Sequence, residues 1–179
     1  EILTAMMNTH VFLNGCEELE YSTDFKIPIA PQYLENTYEE RCEVLKRILD
    51  DTYEREPEAY KTNDRKAGLE YEFSQMKDST AADYFLINYQ IIRLATSPKY
   101  NGHLTSTSRG SASSYYTSKL LGFTTMDRFE SEVPIYPERF VTKERILASH
   151  QCPDVDCNVE KQDPFVAASK ELIGEHGCY

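Results

Sequence analysis

Pro153-Asp154-Val155-Asp156 sets two carboxylates two residues apart. On an extended strand such residues share a face, so both carboxylates project together while Val155 enters the core behind them. Two carboxylates held close repel unless a cation sits between them, and hard Mg²⁺ prefers oxygen ligands of this kind. Such a pair suits one or both ions of a two-metal phosphoryl-transfer site, where the ions lie roughly 3.5 to 4 Å apart. In an acidic chain an Asp-x-Asp is also readable as a solvated turn, and the residues alone leave both readings open.

The second constellation is Ser108-Arg109-Gly110-Ser111-Ala112-Ser113-Ser114. Its spacing predicts a turn between a strand and a helix. Glycine lets the backbone approach a ligand closely, amides at a helix start point at an anion, and serine hydroxyls and a guanidinium add donors. That is the chemistry of holding a triphosphate, although a Gly/Ser-rich turn is also readable as nothing more than a turn.

Several elements must position these two groups. Apolar residues at Tyr38, Cys42, Leu45, Ile48 and Leu49 recur at helical spacing and predict a helix over 35–51. A second helix is expected after Pro57, with Leu69, Phe73 and Met76 inward and its many charges forming a solvated face. The most apolar helix, 81–95, is expected to bury Phe85, Ile87, Ile91 and Leu94, with its aromatics in the core. Asn101-Gly102 makes a turn, and Leu104-Thr105-Ser106-Thr107 reads as a short strand. A helix over 111–121 stops at Gly122. The stretch 123–151, with Pro134 and Pro137, excludes long regular elements. A second strand centres on Val155, and Asp163-Pro164 opens a closing helix through Ile173, with Asp163 as its cap. The proline-broken run Lys26 to Pro31 marks a boundary near residue 34.

At 179 residues the chain has room for one main core. Hydrophobic residues at 40% and charged residues at 27% are ordinary for a globular protein. No apolar run reaches the roughly 18 residues of a membrane span, so the expected location is the cytoplasm. Cysteines at 16, 42, 152, 157 and 178 form no CxxC pair or zinc-type cluster and are expected to be free thiols. A net charge of -11 argues for weak or no DNA binding by this segment alone. The missing initiator Met and an end at Gly177-Cys178-Tyr179, directly after a helical pattern, are read as marks of a fragment.

In order along the chain stand Tyr84-Phe85-Leu86-Ile87, Ser108-Arg109-Gly110-Ser111, Pro137-Glu138-Arg139-Phe140 with Glu144-Arg145, Pro153-Asp154-Val155-Asp156, and Glu160-Lys161-Gln162-Asp163. This succession resembles the C-family DNA polymerases, the alpha subunit of bacterial DNA polymerase III and its relatives. In that family a YFLI-like helix leads to a G-R-G-S turn, an E-R-F...E-R segment and a P-D-x-D-x-D strand followed by a helix. Tyr60 to Met76 is similar to the family's charged helix, and Asn8-Thr9, Cys16-Glu17 and Lys26 to Pro31 resemble the close of its PHP domain.

The resemblance implies residues 1–34 as the edge of a PHP-like domain with a linker, and 35–179 as the first part of a polymerase palm. The implied fold is α+β, a polymerase-beta-like nucleotidyltransferase with a small mixed sheet, packed helices and a helical N-terminal lead-in. It also implies Asp154 and Asp156 as catalytic metal ligands for two Mg²⁺ ions, and Arg109, Gly110, Ser111 and Arg139 as nucleotide contacts. Arg145 matches too, although either arginine could instead brace the structure against Glu138 or Glu144. The implied partners are a deoxynucleoside triphosphate, primer-template DNA and other replisome subunits, with no membrane. A third carboxylate is implied well downstream, so this segment alone is expected to be inactive.

The chain departs from the family pattern at several points. Ser108 and Ser114 replace glycines, Thr107 a proline, Tyr115 a small serine and Asn158 the third aspartate, and an insertion falls around 148–151. From another class of function, a non-catalytic acidic interaction module would make the Asp154/Asp156 pair accidental. A nucleotidyltransferase that copies no template is a further alternative, less compatible with the helical lead-in and the PHP-like start.

Overall fold

The computed structural model describes residues 2–16, 26–105 and 110–174. The first element, α1 (Ile2–Asn14), buries no side chain. Three longer helices then build the frame: α2 (Tyr38–Glu54), α3 (Asn63–Asp78) and α4 (Ala82–Ala95). Shorter helices α5 (Tyr116–Leu120) and α6 (Lys143–Ser149) follow, and α7 (Asp163–Ile173) packs along α4.

Local chemistry explains where α2 begins. The Thr37 hydroxyl accepts from the Glu40 amide, while the Glu40 carboxylate accepts from the Thr37 amide at 2.7 Å. This reciprocal capping satisfies two amides that the helix leaves open, an arrangement worth about 1 kcal/mol. Cys42, Leu45, Leu49 and Tyr53 then line one face of α2 and meet Leu69 and Met76 of α3 and Phe85 of α4 in one core. Arg41 ties α2 to α4 by donating from Nε and Nη2 to both oxygens of Asp83, at 2.6 and 2.9 Å. Both residues are buried, and the planar fork suits a carboxylate in that setting. On α4, Phe85 and Ile87 are buried as expected; Ile91 and Leu94 are only half-buried, and Leu86 and Ile92 hold the deeper positions.

The expected α+β class with a small mixed sheet is overturned: the described residues contain no strand and no sheet. What remains of the expected pairing is one antiparallel bridge between Leu104 and Val159. Two hydrogen bonds flank it, from the Thr105 amide to the Asn158 carbonyl at 2.8 Å and from the Glu160 amide to the His103 carbonyl at 3.0 Å. The β-branched run and the acidic segment do meet, but among the described residues their ladder is limited to this one bridge. An isolated pair of short strands is marginal in water. Residues 106 and 107, also expected in the strand, lie outside the described residues.

The helix expected over 111–121 divides in two. Ala112–Ser114 forms a 3-10 turn, Tyr115 is extended at φ -103 and ψ 129, and α5 starts only at Tyr116. Tyr115 breaks the helix because its ring belongs in the core, edge-on to Phe140 at 5.1 Å, with its hydroxyl donating to the Val141 carbonyl at 2.8 Å. Phe140 in turn meets Phe85 edge-on at 5.9 Å. Gly122, at φ +77, ends α5: its amide donates to Lys119, and the Phe123 amide donates to the Ser118 carbonyl. That pair of bonds needs a left-handed residue. On α7 the cap position belongs to Gln162, and Asp163 is the first helical residue.

The charge on α3 is not all solvated. Arg65 and Glu72 are buried, and Glu72 is 0% exposed. Its carboxylate accepts from the Tyr116 amide at 3.0 Å, the Thr117 amide at 2.7 Å and Arg128 Nε at 2.8 Å. Burial pushes the Glu72 carboxyl above the ordinary range, opposed by those amides and the guanidinium. Arg65 donates to Asp127 at 2.9 Å in a second internal pair. Glu72 lies three residues after Leu69 and four before Met76, on the same helix face. Its place in that apolar stripe was the available sign of burial.

Candidate active site

The acidic segment crosses the surface between two anchors. Upstream, the Tyr84 hydroxyl on α4 donates to the Pro153 carbonyl at 2.6 Å. Burial, with the nearby Cys152 and Asp154 adding to it, pushes the Tyr84 phenol up to about 12, so it stays a donor at neutral pH. Downstream, the hydrogen bonds beside the Leu104–Val159 bridge hold Asn158 and Glu160. Between the anchors exposure alternates: Asp154 and Asp156 are exposed, while Val155 and Cys157 pack against the core. The two-residue period therefore survives without a sheet, because burial of Val155 and Cys157 sets it.

The Ser/Gly turn comes to this segment. Gly110 has φ +80, and a Cβ built there would lie 3.4 Å from Asp156 Cγ, 3.6 Å from its Cβ and inside contact distance of its Oδ2. Both the backbone conformation and the space call for glycine. Ser113 donates from its hydroxyl to the Gly110 carbonyl at 3.3 Å, closing the turn, and Ser111 is half-buried. Ser108 and Arg109 lie outside the described residues.

Arg145 lines the same cavity as Asp154, and Arg139 is not among that cavity's lining residues. Arg139 is exposed at the end of the 3-10 turn Pro137–Arg139, and its carbonyl accepts from Arg145 Nη1 at 3.5 Å. Neither arginine pairs with Glu138 or Glu144 among the described residues; Glu138 accepts from Tyr71 at 3.0 Å. Thr142 caps α6 by accepting from the Arg145 amide at 3.2 Å. The expected insertion forms the end of α6 and a left-handed turn at His150, φ 52. It leads into one wall of a cavity of about 290 Å³ whose lining includes Arg145, Gln151, Cys152 and Asp154. Burial pushes the Cys152 thiol up to about 11, which leaves it protonated and poorly nucleophilic at neutral pH. Cys16, Cys42, Cys152 and Cys157 are free thiols; Cys178 is outside the described residues.

The donor set fits a hard divalent ion in kind. Asp154 and Asp156 offer oxygen ligands, are exposed, and pair with no lysine or arginine among the described residues. In number they are two, and no group of three or more Asp, Glu, His or Cys side chains suited to a metal occurs among the described residues. No helix among them is long and apolar enough to cross a membrane.

Sequence reasoning singled out the acidic pair, the glycine turn and the arginines as candidates, and the structure brings Gly110 against Asp156. That reasoning missed Tyr84 as the anchor of Pro153 and Glu72 as the cap of α5. Neither partner is near in sequence, and only the YFLI-like run marked the position of Tyr84.

Searches among curated proteins and among solved structures each found no match. Residues 32–176 match the family model described as the bacterial DNA polymerase III alpha NTPase domain. With the match covering most of its length, this chain belongs to the bacterial DNA polymerase III alpha family.

Proposed function

We propose that Asp154 and Asp156 hold the two Mg²⁺ ions of a nucleotidyl-transfer centre that adds deoxynucleotides to a primer 3′ end in the intact polymerase. The observation that carries this reading is the contact of Gly110 with Asp156, because it joins an anion-suited turn to an acidic pair. When bound, the ions would supply a lowered pKa at the primer hydroxyl and charge neutralisation at the leaving pyrophosphate. The two carboxylates would fix the spacing of that charge. Amides of Gly110 and Ser111, together with Arg109 and Arg139, would orient the triphosphate and offset the negative charge that grows in the transition state.

The acidic character of the chain assigns the grip on primer-template DNA to other parts of the enzyme, since phosphate contacts need clustered lysine and arginine. Among the described residues the acidic pair is the one candidate, and the family pattern implies a third carboxylate further downstream, so these 179 residues alone are expected not to extend a primer.

The test is substitution in the intact polymerase. Asp154→Asn or Asp156→Asn should abolish primer extension in Mg²⁺ while leaving the melting temperature unchanged, because both side chains are exposed. Extension at the unsubstituted rate by the double variant would refute the assignment.

A further inference from the structure

The acidic pair needs a fixed backbone as well as a fixed face, and the first link in that backbone is Pro153. The pyrrolidine ring holds the Pro153 φ near -65°. Its ψ sets the plane of the peptide entering Asp154, because that peptide is rigid. In this structure a single described side chain reaches the carbonyl of that peptide: the Tyr84 hydroxyl, at 2.6 Å. The phenol is half-buried against the core, and its helix is tied to α2 through the Arg41–Asp83 pair. The tyrosine therefore transmits the rigidity of the frame to the residue before Asp154.

We infer that Tyr84 is a positioning residue for the acidic pair, acting through the Pro153 carbonyl. The inference rests on the reading of Asp154 and Asp156 as metal ligands. Tyr84 touches neither carboxylate through a described hydrogen bond, so its effect is on the geometry they present. Without the hydroxyl, Pro153 ψ is released, while the Asn158 and Glu160 anchors continue to hold the far end. The carboxylates then sample more relative orientations, and an ion that needs both binds more weakly.

The experiment titrates the chain with Mn²⁺, a paramagnetic stand-in for Mg²⁺, and reads the free ion by electron paramagnetic resonance. Unsubstituted chain should bind, and Asp154→Asn with Asp156→Asn should remove that binding. Tyr84→Phe, which removes one oxygen, should weaken it about tenfold, the scale of losing a group that orients metal ligands. Ile92→Ala is the control for general loosening, because Ile92 is buried on the same helix about 12 Å further along. It should lower the melting temperature and leave Mn²⁺ affinity unchanged. Unchanged affinity in Tyr84→Phe, or an equal loss in Ile92→Ala, would overturn the role of Tyr84 while leaving the metal reading intact. Absence of binding by the unsubstituted chain would overturn this inference, because Tyr84 then has no bound ion to position, and binding that survives the double Asp→Asn change would overturn the metal reading with it.

Discussion

Gly110 lies against Asp156, whose carboxylate occupies the space that a side chain at position 110 would need. Sequence separation between the two is large, and neither motif contains information about the other. Their contact brings two separately read motifs together.

A first prediction follows for Gly110→Ala. The methyl group meets the Asp156 carboxylate, and the left-handed backbone at φ +80 costs an L-residue about 1 to 2 kcal/mol. Gly110 itself is exposed, so the local backbone has room to shift. The expected outcome is a stability loss of about 1 kcal/mol by urea denaturation, with a larger proportional loss of divalent-ion affinity as Asp156 is displaced.

Glu72 provides a test of the frame behind the turn. Its carboxylate serves the Tyr116 and Thr117 amides and Arg128 with no exposure to water. Truncation in Glu72→Ala leaves two buried amides and a partly buried guanidinium unpaired, which should cost about 3 kcal/mol. Replacing Glu72 and Arg128 together with Met should recover much of the loss, because the penalty comes from the stranded partner. Chemical denaturation of Glu72→Met, Arg128→Met and the double variant measures the coupling.

Tyr115 stands where the resembling family carries a small serine, and here it fills the core beneath Phe140 and Val141. Tyr115→Ser should therefore destabilise by about 3 to 5 kcal/mol through the cavity it leaves, the range for deleting a buried aromatic ring. A denaturation midpoint equal to that of the unsubstituted chain would show that the site repacks. In this chain the position is part of the core.

Alkaline pH should unfold the protein through its buried phenols. Burial raises Tyr38, Tyr84, Tyr115 and Tyr116 above the ordinary tyrosine value, Tyr84 to about 12. Between about pH 10, where phenols of the unfolded chain ionise, and the folded values, the native state keeps the greater number of protons. Stability is therefore intact below pH 10 and falls as pH rises beyond it. Absorbance of tyrosinate near 295 nm should show these four ionising together with the loss of helical circular dichroism, after the exposed tyrosines.

Helices α2, α3, α4 and α7 and the alternation at 154–157 were legible in the residues because each depends on local spacing. Tyr38, Cys42, Leu45 and Leu49 carry a 3.6-residue period that only a helix satisfies, and Thr37 with Glu40 caps it locally. The alternation of Asp154, Val155 and Asp156 held for the same reason.

Other features depended on partners far along the chain. A β-branched run states that a segment tolerates extension, but a sheet needs several neighbours, and Leu104 found only Val159. Tyr115 and Glu72 were read by residue type as continuing a helix and as solvated charge. Their actual places were decided by Phe140 and Val141 for one, and by the α5 amides with Arg128 for the other. Sequence by itself determined the helical period of α2 and the two-residue alternation from Asp154 to Cys157, because both are set by local spacing. Only tertiary packing decided that Tyr84 would reach Pro153 and that Gly110 would meet Asp156, because those contacts arise from the mutual burial of α4, the turn and the acidic segment around one core.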